Sequence, residues 1–146
     1  MPVNTEAIGK EYPPVTYAVG REKIREYANA IGTDNPVHHD REAARAAGFR
    51  DLVAPPMFCV VYSAAAIGPG VLDPEVGINL AMMVHAGQEF VWGEPVCSGV
   101  VITTTAKVVD ISERDGKGFY VFESVSTNQD GDEVVRGTWT NIVRGV

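Results

Sequence analysis

Pro55-Pro56-Met57-Phe58-Cys59-Val60-Val61-Tyr62-Ser63-Ala64-Ala65-Ala66-Ile67 contains no charged side chain and presents apolar or small groups at every position. The two prolines preset a first helical turn, where a missing N–H costs least. Residues 57–67 then lack any polar face, and a helix of that kind must be surrounded by protein. Gly68-Pro69-Gly70 reads as its end. The run is too short to cross a bilayer, so a core helix is the expectation.

Downstream the pattern changes to strands. Residues 80–85 and 88–92 read as two short ones, 100–111 and 119–128 as longer ones, and 133–143 as the last. Ile102, Thr104, Ala106 and Val108 alternate with Thr103, Thr105 and Lys107, a period of two that buries one face. Arg114-Asp115-Gly116-Lys117-Gly118 and Asp130-Gly131 supply the turns of a three-stranded meander. Upstream, Ile24, Tyr27, Ala28 and Ile31 recur at i, i+3, i+4 and i+7, one face of an amphipathic helix that Gly32 stops. Asp40 can cap a second, alanine-rich helix over 41–47, with Gly48 at its end. A helical first half and a strand-rich second half make an α+β domain. The expected architecture is a hot dog, an antiparallel sheet wrapped around a long buried central helix. The sheet of such a domain leaves an edge to be covered by a second one.

The 146 residues suit a single domain spanning 1–146, with 45% hydrophobic residues to build its core. A net charge of −7 argues against nucleic acid, which needs a positive field. The first ten residues show no basic region followed by an apolar run, and no membrane span is expected. Cys59 and Cys97 fit no zinc or redox spacing, so a reducing cytoplasm is the expected setting. Six of the twelve basic residues, Arg21, Lys23, Arg25, Arg41, Arg45 and Arg50, fall within residues 21–50. They read either as solvated helix faces interleaved with Glu22, Glu26 and Glu42, or as a patch for carrier phosphates.

Between the two predicted helices, Gly32-Thr33-Asp34-Asn35-Pro36-Val37-His38-His39-Asp40 packs two carboxylates, an amide and two imidazoles around a rigid proline. Asn35 can bond its own turn, Asp40 reads as a helix cap, and His39 is expected to face solvent. A metal held by Asp34, His38, His39 and Asp40 is not expected, because adjacent histidines rarely converge on one ion and no third ligand offers itself. No cofactor is expected. Cys59, mid-run, reads as core packing.

These residues resemble a known signature. MaoC-like hydratases and dehydratases carry Asp-x-Asn-Pro-(Leu/Ile/Val)-His-x-Asp after an amphipathic helix, then Val-His-Gly-Met opening a buried helix. Here Asn35-Pro36-Val37-His38-His39-Asp40 and Val53-Ala54-Pro55-Pro56-Met57-Phe58 occupy those places. Tyr12-Pro13-Pro14, residues 19–27 and Val84-His85-Ala86-Gly87-Gln88-Glu89-Phe90 extend the likeness over nearly the whole chain. It is closest to the N-terminal-type branch, which includes partner subunits of heteromeric (3R)-hydroxyacyl-ACP dehydratases.

The resemblance implies an acyl-CoA or acyl-ACP thioester as substrate and a homodimer or heterodimer with a second MaoC-like subunit. In the competent branch the loop Asp and His position a water and handle the α-proton and the hydroxyl. A backbone N–H at the start of the central helix holds the thioester carbonyl, where negative charge develops. Carried over residue by residue, this makes His38 and Asp34 the catalytic candidates. Asn35, Thr33, Pro56, Met57, His85 and Gly87 become the substrate-binding ones, with His85 expected beside the helix. Two departures stand out. Aligned on Asn-Pro, the catalytic Asp falls on Thr33, with Asp34 one residue late, and the donor glycine falls on Pro56, which has no N–H. The expectation is therefore a dehydratase or hydratase subunit with a degenerate site. The rivals are a self-sufficient homodimeric (R)-specific enoyl-CoA hydratase using Asp34, and a non-enzymatic binder of acyl thioesters or other hydrophobic ligands. A hot-dog thioesterase fits less well, since residues 57–67 lack an acid.

Overall fold

The apolar run becomes the axis of the molecule. In the computed structural model, which describes residues 2–146, a 3-10 turn over Pro56–Phe58 leads into helix α3, Cys59–Val71. The helix does not stop at Gly68-Pro69-Gly70 as the sequence suggests. Pro69 removes one N–H, and the carbonyl left without it belongs to exposed Ala65, where water can serve. Gly70 has a positive role. A Cβ there would lie 2.6 Å from Phe122 Cε1 and 3.1 Å from Tyr12 Cε2, so its bare backbone lets the helix touch the sheet.

That sheet has five antiparallel strands in the order β1-β3-β4-β5-β2: β1 Glu11–Ala18, β2 Met83–Trp92, β3 Val101–Arg114, β4 Lys117–Thr127 and β5 Glu133–Arg144. The meander β3-β4-β5 forms as expected, with Ile102, Thr104, Ala106 and Val108 turned inward. The two short strands expected at 80–85 and 88–92 are one strand with a register shift between His85 and Gly87. Strand β1 has no counterpart in the sequence reading. Pro13-Pro14 falls inside it, at a register shift between Tyr12 and Val15, and β1 is an edge strand, where missing donors are tolerated. The chain is thus α+β in the hot-dog arrangement, but strands begin before the helices do.

Helix α1, Arg21–Ile31, buries Ile24 and Ala28 and ends at Gly32 in the left-handed region, φ 74°. Helix α2, Arg41–Ala46, is capped by Asp40, whose carboxylate accepts the Glu42 N–H. The core lies between α3 and the sheet in two apolar clusters. One gathers Ile24, Leu52, Phe58 and Tyr62; the other gathers Ala66, Ile67, Tyr120, Phe122 and Trp139. Between them sit buried hydroxyls, with Thr104 and Ser126 bonded at 2.7 Å and Trp139 donating to Ser124 at 2.8 Å. Burial of α3 is one-sided, however. Cys59, Tyr62, Ser63, Ala66, Ile67 and Gly70 face the sheet, while Met57, Ala64, Ala65 and Leu72 are exposed in the single chain. No helix among the described residues is long and apolar enough to cross a membrane.

Candidate functional site

The loop before α2 is built by its own polar side chains. Asn35 Oδ1 accepts the Val37 N–H at 3.3 Å and opens a 3-10 turn over Pro36–His38. Thr33 Oγ1 accepts the Asn35 N–H at 3.4 Å. His39 is half-buried rather than solvent-facing, because its Nε2 bonds the Thr33 carbonyl at 2.8 Å and closes the loop on itself. Arg25 of α1 ties the loop down by donating to the His39 carbonyl at 3.3 Å.

His38 is the buried side chain of this turn, 8% exposed. Its Nδ1 lies 2.6 Å from the Val53 carbonyl. A carbonyl can only accept, so Nδ1 carries the hydrogen, and the neutral ring presents a bare lone pair at Nε2. The Val53 N–H donates to Val37 O at 2.9 Å, and the Ala54 N–H to Val96 O at 2.8 Å. The approach to α3 is therefore clamped between the His38 loop and the segment after β2.

These pieces enclose a cavity of about 550 Å³, almost wholly apolar. Asn35, His38 and Pro56 share its wall with Phe49, Phe58, Cys59, Tyr62 and Trp92. Trp92 donates its indole N–H to the Pro56 carbonyl at 2.9 Å, closing one side. Glu94 is the one carboxylate-bearing residue on the wall. Burial pushes the Cys59 thiol up to about 11, so at neutral pH it is a protonated wall residue rather than a nucleophile.

The other sequence candidates lie elsewhere. Asp34 is exposed and makes no side-chain hydrogen bond among the described residues, and neither it nor Thr33 lines the cavity. Met57 follows Pro56 directly, with its side chain 43% exposed. His85 does sit beside α3, and it is exposed. Its ring meets Trp139 edge-on at 5.9 Å in a shallow apolar depression with Ala64, Ile67 and Leu72. Gly87, on the same strand as His85, lies against Thr140 of the neighbouring β5. Sequence reasoning missed Phe49, Tyr62, Trp92 and Glu94. Only Trp92 gave a local signal, as an aromatic residue at the end of a strand beside Gly93-Glu94-Pro95.

Residues 6–136 match the family described as the FAS1-like dehydratase domain region. The chain belongs to that family. It is 42% identical to a UPF0336 protein of Saccharopolyspora erythraea over 99% of its length and 94% of the relative's. Among solved structures it is similar to a chain of the HadBC (3R-hydroxyacyl-ACP dehydratase) complex from Mycobacterium tuberculosis. That match has 29% identity and a TM-score of 0.84, covering 96% of this chain and 99% of the other. A MaoC-like dehydratase from Rhodospirillum rubrum matches at 26% identity and a TM-score of 0.71 over 96% and 94% of the two chains. The chain is thus a MaoC-like hot-dog domain of the dehydratase and hydratase group.

Proposed function

We propose that this chain is the acyl-binding subunit of an (R)-3-hydroxyacyl-thioester dehydratase or enoyl-thioester hydratase in fatty-acyl metabolism. It lines the acyl slot and leaves most of the chemistry to a second hot-dog subunit. The observation that carries this reading is an apolar cavity holding His38 but neither Asp34 nor a backbone donor at Pro56.

Hydration of an enoyl thioester, or its reverse, moves a proton at the α-carbon and builds negative charge on the thioester oxygen. His38 Nε2 is free to accept or return a proton. Two further parts are missing from the places where the resemblance expects them. A carboxylate beside the histidine would hold the water, but the candidate Asp34 is exposed and lies off the cavity wall. An N–H aimed at the oxyanion is typically worth 10²–10³ in rate, and Pro56 has none. What remains is a slot that binds an acyl chain and presents one imidazole base without its supports. The exposed apolar face of α3 and the free edge of β2 support a second hot-dog subunit, identical or not, as the partner. Both the HadBC complex and the ChsH1-ChsH2 complex from Mycobacterium tuberculosis are described as complexes of two components.

Hydration of crotonyl-CoA and longer enoyl-CoA thioesters tests the reading. The chain purified alone should bind these thioesters yet turn them over at least about 10²-fold more slowly than together with the MaoC-like subunit that co-purifies with it. Robust turnover by the chain alone, abolished in His38→Ala, would establish the self-sufficient hydratase instead. Binding without turnover in any combination would leave an acyl-binding protein and no enzyme.

A further inference from the structure

We infer that the Tyr62 hydroxyl makes the cavity a receptor for oxygen-bearing acyl chains, bonding a keto or hydroxyl group away from the reacting carbons. This rests on the thioester reading above and names the class of acyl group that the slot prefers. Tyr62 is 3% exposed, yet it lines the cavity together with Phe58 and Cys59, one turn earlier along the axis. Its ring is fixed between two others, with centroids 6.2 Å from Tyr17 and 6.2 Å from Phe58. Leu52, Val96, Val134 and Val135 belong to the same apolar cluster.

The hydroxyl has no partner within the chain. No side chain or backbone group among the described residues bonds it. Burial pushes it well above its ordinary 10, so it stays protonated and able to donate. Among the described residues, the polar side-chain atoms wholly enclosed without a partner are Arg41 Nε, Ser63 Oγ and Gln88 Oε1. The Tyr62 oxygen is not one of them. It therefore reaches open space, and the space that Tyr62 borders is the cavity.

A buried hydroxyl is costly unless something bonds it, and phenylalanine would fill nearly the same volume without that cost. A plain hydrocarbon chain offers the hydroxyl nothing. A trapped water needs about two to four polar partners. Apart from the Cys59 thiol, the other buried side chains of the surrounding cluster carry no polar group. A ligand oxygen supplies the missing partner: a keto group accepts from the hydroxyl, and a ligand hydroxyl accepts or donates. Chemistry at the reacting carbons falls to the second subunit in the reading above, so the oxygen met in this slot belongs to the rest of the chain. The aromatic packing fixes the ring before binding, which keeps the cost of ordering the bond small.

Calorimetry on the full-length protein in its native assembly tests this with decanoyl-CoA and its oxo derivatives, the keto group placed in turn at carbons five to nine. Wild type should bind at least one derivative about fivefold or more tightly than decanoyl-CoA. Tyr62→Phe should reverse that order, since the keto group is then desolvated with no bond in return. Tyr17→Phe removes a hydroxyl from the neighbouring ring, off the cavity wall, and should keep the preference. A ¹³C-labelled keto group gives a second readout, its infrared stretch lowered in the wild-type complex and restored in Tyr62→Phe. Equal or weaker binding of every oxo derivative by wild type would overturn the inference while leaving acyl binding intact. A preference that survives in Tyr62→Phe overturns it too, since the oxygen then has another partner. Failure of decanoyl-CoA and all its derivatives to bind overturns the thioester reading as well.

Discussion

His38 is held by a single strong bond to the Val53 carbonyl, and that bond both chooses its tautomer and pins the loop to the approach of α3. His38→Ala should therefore cost stability as well as function, about 1–3 kcal/mol from the Val53 carbonyl left unpaired, read as a lower urea midpoint. Asp73 gives a pH prediction. Lys10 at 2.7 Å and the Tyr12 hydroxyl at 2.7 Å hold its carboxyl at about 2, below its ordinary 3.8. A depressed folded value stabilises fully above the unfolded pKa and is lost as pH falls through the folded one. Stability should thus decline between about pH 4 and pH 2, and Asp73→Asn should flatten that limb in acid titrations followed by circular dichroism. Asn35, His38 and Pro56 were expected at the site from the resemblance of their two motifs, and all three line the cavity. Phe49, Tyr62 and Glu94 could not be expected there, because three separate segments bring them to the cavity.

Helix α3 shows where an element departs from its own punctuation. Gly68-Pro69-Gly70 looks like a stop, yet the helix runs to Val71, because the sheet supports it from beneath. Gly70→Ala should cost about 1–3 kcal/mol by forcing the Phe122 ring aside, although alanine favours helices. Thermal unfolding measures it, and a stabilised variant would show that the helix does not press on the sheet. The opposite misreading occurs at β1. Pro13-Pro14 discourages a strand locally, but an edge position needs fewer donors, and pairing with β3 supplies the rest. The amphipathic α1, the Asp40 cap and the β3–β5 meander were legible in advance, since each depends on spacing within one segment.

A single copy of this domain leaves apolar surface in water. Leu72 is 66% exposed, Val84 49% and Leu80 50%, and they flank the bare face of α3 and the open edge of β2. Large apolar side chains exposed beside an open sheet edge and a bare helix face mark an interaction surface. Sedimentation should accordingly return a mass of at least two subunits, and Val84→Glu should shift it toward the single chain. An unchanged mass for the variant would place the contact elsewhere.

The order of apolar, polar and turn residues was enough to determine that a greasy helix pairs with a meander, and that an Asn-Pro-x-His turn precedes it. Those patterns act over a few residues, and backbone geometry converts them directly into helices, turns and strands. Tertiary structure alone decided that β1 closes the sheet, that Asp34 turns away while Trp92 and Glu94 reach the cavity, and that one side of α3 stays bare. Each of these depends on how distant segments pack, and a one-residue offset in a loop reverses which way a side chain points.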